Sequence, residues 1–190
     1  MPEMEENMRV IAGKAKRIPL VAPPGSDTRP TTDRIKETLF NILQDDIGDC
    51  RFIDLFAGSG GIGIEALSRG AESAIFVEND RTALKYIKQN LEKTRFTDAA
   101  KVVQTDVITY IARYADEPAG IIFADPPYRK GFEERLLQAL VASKAVSDDT
   151  LIIIEAALDT ETDFIDEDVY EILRIKDYKS NRHIFLKRHK

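Results

Sequence analysis

Between residues 52 and 154, short unbroken apolar runs alternate with amphipathic helical stretches, and this alternation admits few architectures. The runs fall at 52–56, 74–77, 101–104, 120–124 and 151–154. Ile121-Ile122-Phe123 and Leu151-Ile152-Ile153-Ile154 have no polar face, as expected of strands covered on both sides. Helical patterns at 64–69, 81–93, 107–114 and 132–142 fill the intervals, each long enough for a crossover between parallel strands. The fold class expected is α/β, a doubly wound parallel sheet. Beyond 154 the alternation stops. Stretches 169–178 and 183–187 read as strands joined by Lys179-Ser180-Asn181-Arg182, with no room for a crossover, so they form a C-terminal antiparallel hairpin on a seven-stranded, mostly parallel sheet. At the other end, a helix carrying Ile35, Leu39, Ile42 and Leu43 follows Pro30-Thr31-Thr32-Asp33, where Thr or Asp can cap it. Stretches 10–12 and 18–22 read as a small hairpin or arm before Pro23-Pro24-Gly25. The chain divides into a disordered extension (1–7), an arm (8–30) and one domain (31–190), and Met8 could itself be the biological start.

A single cysteine, Cys50, excludes an intramolecular disulfide, and one Cys with His183 and His189 falls short of a zinc set, so no metal is expected. No apolar run approaches the length of a membrane span, and the acidic N-terminus is unlike a signal peptide; the expectation is a cytoplasmic protein with no membrane partner. The formal net charge of -6 argues against nucleic acid until it is partitioned. From 8 to 36, seven basic residues face two acidic ones, for +5; from 174 to 190, seven face one, for +6. The intervening domain carries -14. Basic termini can be ordinary solvated faces, so charge alone decides nothing.

The first strand runs into Asp54-Leu55-Phe56-Ala57-Gly58-Ser59-Gly60-Gly61-Ile62-Gly63, and residues 58–63 satisfy G-x-G-x-x-G. Such a loop can be a structural turn, or it can bring backbone N–H groups close to a ligand. Glu78 closes the second strand, where a carboxylate can accept from both hydroxyls of a ribose. A nicotinamide dinucleotide and S-adenosylmethionine both suit this arrangement. Asp54 favours the second, because a carboxylate beside the loop repels a pyrophosphate and attracts the ammonium of a methionine moiety. Asp106 ends the third strand, where it can meet an adenine amine or simply cap the next helix. Phe56, Gly58, Gly60, Gly63, Asn79 and Val107 complete the expected cofactor contacts.

The fourth strand ends in Asp125-Pro126-Pro127-Tyr128. Two prolines stiffen the backbone and withhold N–H donors, leaving carbonyl and carboxylate acceptors beside an aromatic face. This suits a planar base with an exocyclic amine: Asp125 and the Pro126 carbonyl accept its two N–H groups and Tyr128 stacks on the ring. The amine's lone pair is conjugated and poorly nucleophilic, so orientation matters most, and Asp125 is expected to orient the amine and stabilise charge, with no dedicated base.

Asp125-Pro126-Pro127-Tyr128 together with 54–63 resembles the class I, Rossmann-like S-adenosylmethionine-dependent amino-methyltransferases. Arg29-Pro30-Thr31-Thr32-Asp33-Arg34-Ile35-Lys36-Glu37-Thr38-Leu39-Phe40-Asn41 resembles more narrowly the RsmD family of bacterial methyltransferases, as do Met8-Arg9-Val10-Ile11-Ala12-Gly13 and Glu65-Ala66-Leu67-Ser68-Arg69. The resemblance implies methylation of guanine N2 at one site in 16S rRNA within small-subunit particles, by a methyltransferase domain spanning 31–190. It also turns 8–30 into an RNA-binding arm, with Arg9, Lys14, Lys16, Arg17, Arg29, Thr31 and Arg34 on the RNA backbone. A monomer is expected. Alternative readings are a DNA adenine-N6 methyltransferase, an NAD-dependent oxidoreductase resting on the glycine loop alone, and a noncatalytic RNA-binding assembly factor.

Overall fold

The computed structural model describes residues 8–23 and 32–189. The expectations for residues 1–7, Arg29 and Thr31 lie outside them. Five parallel strands, β1 (Arg51–Leu55), β2 (Ser73–Glu78), β3 (Ala100–Gln104), β4 (Ile121–Ala124) and β5 (Leu151–Ala157), join two antiparallel ones, β6 (Tyr170–Asp177) and β7 (Asn181–Arg188). The order across the sheet is β3-β2-β1-β4-β5-β7-β6. The strand sequence reverses between β1 and β4, and the crevice beyond their carboxyl ends is where open α/β sheets take ligands.

Both sheet faces are covered because the strands are apolar on both. Phe52, Phe76, Phe123 and Phe185 point into one core with Leu39, Phe40, Ile64 and Ile87. Ile53, Val77, Ile122 and Ile154 point into the other with Ile111, Leu136 and Leu140. Helices α1 (Asp33–Ile42), α2 (Gly61–Ser68), α3 (Arg81–Thr94), α4 (Val107–Ala112) and α5 (Phe132–Val141) supply these layers. Thr32 caps α1 by accepting from Ile35 N.

Two boundaries differ from the sequence reading by three residues and others by one or two. α2 starts at Gly61 rather than 64, because Gly60 adopts φ +82° and serves as its N-cap. β5 runs to Ala157, three residues beyond the apolar run. There it pairs with β7, Glu155 opposite His183 and Ala157 opposite Asn181, so two residues assigned to the turn belong to a strand.

The N-terminal segment is a tight antiparallel turn, with Val10 N donating to Ile18 O (3.0 Å) and Leu20 N to Met8 O (2.7 Å). Val10, Ala15 and Leu20 are buried in the first core. Beneath it, the buried Glu65 carboxylate of α2 accepts from Ile11 N (2.8 Å), Ala12 N (3.0 Å) and Arg69 Nε (2.8 Å). Asn90 of α3 ties the segment to the glycine loop: its amide donates to Val21 O and Ser59 O, and its carbonyl accepts from Val21 N.

Candidate active site

The crevice between β1 and β4 is floored by carboxylates. Asp54 is buried in β1, and its Oδ2 accepts from Gly63 N at 2.9 Å. Burial pushes the Asp54 carboxyl up to about 8; the Gly63 N–H opposes the shift and the charge of Glu78 adds to it. Glu78, at the end of β2, accepts from Gly58 N through Oε2 (2.8 Å) and from Asn79 N (2.8 Å) and Asp80 N (2.9 Å) through Oε1.

The glycines therefore have distinct duties. A Cβ on Gly63 would lie 2.4 Å from Cε1 of Phe76, so the absent side chain lets α2 pack on β2. Gly60 N donates to Ala57 O (2.8 Å), and the Gly58 and Gly63 N–H groups are held by carboxylates. Three glycine N–H groups that a pyrophosphate could have used are thus engaged within the protein, next to two acidic side chains. These carboxylate acceptors fit a ligand bearing positive charge and hydroxyl groups, and the engaged N–H groups disfavour a dinucleotide.

A cleft of about 350 Å³ opens above this floor, lined by Phe56, Glu78, Asn79, Asp80, Asp106, Val107, Pro127 and Phe132. Phe56 has φ +60°, and its ring meets Phe132 edge to face at 5.6 Å. Asp106 caps α4 by accepting from Thr109 N (2.9 Å) and also faces the cleft, so its two sequence readings coexist. Of the expected cofactor residues, Phe56, Glu78, Asn79, Asp106 and Val107 line the cleft, whereas Asp54, Gly58, Gly60 and Gly63 form the layer that shapes it.

Asp125 follows β4. Burial raises its carboxyl well above the ordinary range, with the charges of Glu155 and Asp54 reinforcing the shift. Pro126 is buried, Pro127 reaches the cleft, and Tyr128 is 37% exposed. The Tyr128 hydroxyl donates to Glu155 Oε1 at 2.8 Å. Glu155, Asn181 and His183, none expected at the site from the sequence, thus stand directly behind the motif, and Asp80 and Phe132 join the cleft. His183 within an apolar strand, opposite a carboxylate that interrupts another, was the available signal.

Of the basic residues, Lys14, Lys16, Arg17 and Arg34 are exposed, while Arg9 pairs with Asp33 at 2.9 Å. Among the described residues no group of three or more His, Cys, Asp or Glu could hold a metal ion, and no helix is long and apolar enough to cross a membrane.

The reversed sheet, the carboxylate-floored cleft at its switch point and the antiparallel C-terminal hairpin define a Rossmann-like methyltransferase. Residues 8–187 match the family described as conserved hypothetical protein 95, and the chain belongs to this, the RsmD family. Ribosomal RNA small subunit methyltransferase D of Escherichia coli is 37% identical over 152 residues, 80% of this chain and 76% of that protein. YlbH of Bacillus subtilis is 41% identical over 150 residues, 78% of this chain and 82% of the relative. Solved methyltransferase structures share the fold, among them yhhF of Escherichia coli, with TM-score 0.83 and 32% identity over 96% of this chain and 98% of that one.

Proposed function

We propose that this protein transfers a methyl group from S-adenosylmethionine to the exocyclic N2 amine of one guanine in the 16S rRNA of small-subunit particles. One observation carries the reading: Asp125-Pro126-Pro127-Tyr128 leaves β4 beside a cleft whose floor and walls carry Asp54, Glu78 and Asp106. The relatives named for ribosomal RNA small subunit methylation support the choice of RNA.

Bound in the cleft, S-adenosylmethionine supplies an electrophilic methyl on a sulfonium centre. Glu78 would accept from its ribose hydroxyls and Asp106 from its adenine amine, with Phe56, Val107 and Phe132 as apolar walls. Asp54 lies beneath the loop and supplies negative potential toward the methionine ammonium. On the target side, Asp125 in its ionised form and the Pro126 carbonyl accept the two N–H groups of the amine. That fixes the amine's plane and leaves its lone pair pointing at the cleft. Tyr128 offers its ring to the unstacked base, a contact typically contributing about 1–3 kcal/mol. The methylated amine is strongly acidic, so its proton leaves readily, and Asp125 stabilises the transient positive charge. Lys14, Lys16, Arg17 and Arg34 would contact phosphates, positioning the particle without reading its sequence.

The test is single-turnover transfer of labelled methyl to small-subunit particles from a strain lacking the enzyme, with duplex DNA in parallel. Nucleoside mass spectrometry should place the label in N2-methylguanosine at one position. Label in N6-methyladenine on DNA, with none in the particles, would overturn the reading.

A further inference from the structure

Tyr128 follows two prolines and precedes Arg129, whose φ is +60°, so its backbone has little freedom. Its side chain is tethered as well. The hydroxyl donates to Glu155 Oε1 (2.8 Å), and Glu155 is itself only 5% exposed. Every oxygen of that carboxylate is in use. Asn181 Nδ2 donates to the same Oε1 at 2.6 Å, and His183 Nε2 lies 3.0 Å from Oε2. The far side of the imidazole is held too, its Nδ1 3.2 Å from the Tyr178 hydroxyl. Its ring packs edge-on against Tyr178, Phe123 and Phe185.

Strand register explains the convergence. Glu155 and His183 are directly opposed across the β5–β7 ladder, and Asn181 is the diagonal neighbour two residues along on the same face. Burial pushes the Glu155 carboxyl up, but the bonds from His183, Tyr128 and Asn181 outweigh it and hold the group below the ordinary carboxylate range. An interior carboxylate commonly stabilises a fold less than an apolar side chain of similar size would. Here its Oε1, which also accepts from Asn181, holds the hydroxyl of the exposed Tyr128 and so restrains that ring.

We propose that Glu155, set by Asn181 and His183, is a positioning residue that locks the Tyr128 ring in the orientation in which the target base stacks. It acts through Tyr128 and does not touch the base. The inference rests on the proposed methyl transfer and deepens it, by making the C-terminal hairpin part of the target side.

The experiment compares Tyr128→Phe, Glu155→Ala, Glu155→Gln and the double variant Tyr128→Phe/Glu155→Ala. Each single removal of the bond should lower kcat on small-subunit particles by about tenfold to a hundredfold. Calorimetric affinity for S-adenosylmethionine should stay unchanged. Both changes remove the same hydrogen bond, so the double variant should be no slower than the slower single one. Glu155→Gln keeps a carbonyl acceptor and should retain most of the activity. Wild-type rate in Tyr128→Phe, or losses that multiply in the double variant, would overturn the proposal. A readout independent of substrate accompanies these rates: with fluorotyrosine labelling, the resonance that disappears in Tyr128→Phe should shift and broaden in Glu155→Ala and stay in place in Glu155→Gln. An unmoved resonance in Glu155→Ala also overturns the proposal. If Glu155→Ala does not fold, Tyr128→Phe and the Glu155→Gln resonance decide the matter. Failure of wild-type transfer, by contrast, would count against the substrate reading while the resonance still reports on the tether.

Discussion

The Lys36 ammonium lies 3.9 Å from the Glu65 carboxylate, the two side chains 2% and 0% exposed beneath the N-terminal hairpin. Lys36 Nζ also donates to Arg9 O at 2.6 Å, so a charge in the interior grips the backbone of the arm. Burial lowers the Lys36 pKa, and Glu65 is the foremost group opposing that shift. Removing Glu65 strands this ammonium and frees the Ile11 and Ala12 N–H groups. Glu65→Ala should therefore cost about 3–5 kcal/mol in denaturant unfolding. Amide exchange in the arm should accelerate more than in β1 or β4; equal acceleration everywhere would mean that the carboxylate serves the whole fold and not the docking of the arm.

Asp125→Ala should leave the affinity for S-adenosylmethionine intact and lower transfer by about a hundred- to a thousandfold. Parallel calorimetry and single-turnover rates separate the two effects. A proportionate fall in cofactor affinity would move Asp125 from the target side to the cofactor side.

On the proposed reading, Asp54 should make cofactor binding sensitive to pH. Its carboxyl, lifted to about 8, holds a proton in the folded protein that the unfolded chain has already released, so stability falls as pH rises from the ordinary carboxylate range through about 8. A ligand ammonium favours the ionised form. Affinity for S-adenosylmethionine should therefore strengthen between about pH 6 and 8, by at most about tenfold per pH unit, and level off above. In Asp54→Asn the pH dependence of binding should disappear and the stability slope should become shallower, the raised Asp125 carboxyl still contributing, as titration calorimetry and thermal melts across that window can show.

Gly63→Ala forces a methyl to within 2.4 Å of the Phe76 ring. The expected loss is about 1–3 kcal/mol from overpacking, measurable in urea. Phe76→Leu in the same chain should recover part of it by opening that space.

The exposed cations of the arm should act through phosphates. Removing Lys14 and Lys16 together should weaken binding to small-subunit particles and flatten the dependence of log affinity on log salt, by about 0.7–0.9 for each phosphate no longer neutralised. Arg9→Ala should matter less at low salt, because Arg9 already pairs with Asp33.

The parallel sheet was legible in the sequence because its strands are apolar on both faces, a pattern that needs no partner to be recognised. The placement of Glu78 and Asp106 at the cleft was legible because both stand at the carboxyl ends of parallel strands, where this architecture opens its crevice. Glu155 escaped notice. A carboxylate directly after Leu151-Ile152-Ile153-Ile154 looks like the end of a strand, and only pairing with β7 carries the strand three residues further. Asn181 was hidden similarly, since a polar residue between Ser180 and Arg182 reads as turn. The net charge of -6 conceals basic stretches at 8–36 and 174–190, because opposite signs along a chain cancel in a sum.

β7 comes last among the strands in sequence, yet it lies inside the sheet, between β5 and β6. During synthesis from the N-terminus, every residue lining the cofactor cleft is made before Asn181 and His183. The residues around the cleft therefore emerge while the residues behind Tyr128 have yet to be made. On the proposed reading, chain direction thus places the synthesis of the residues that would hold a methyl donor before that of the residues that would help to aim it.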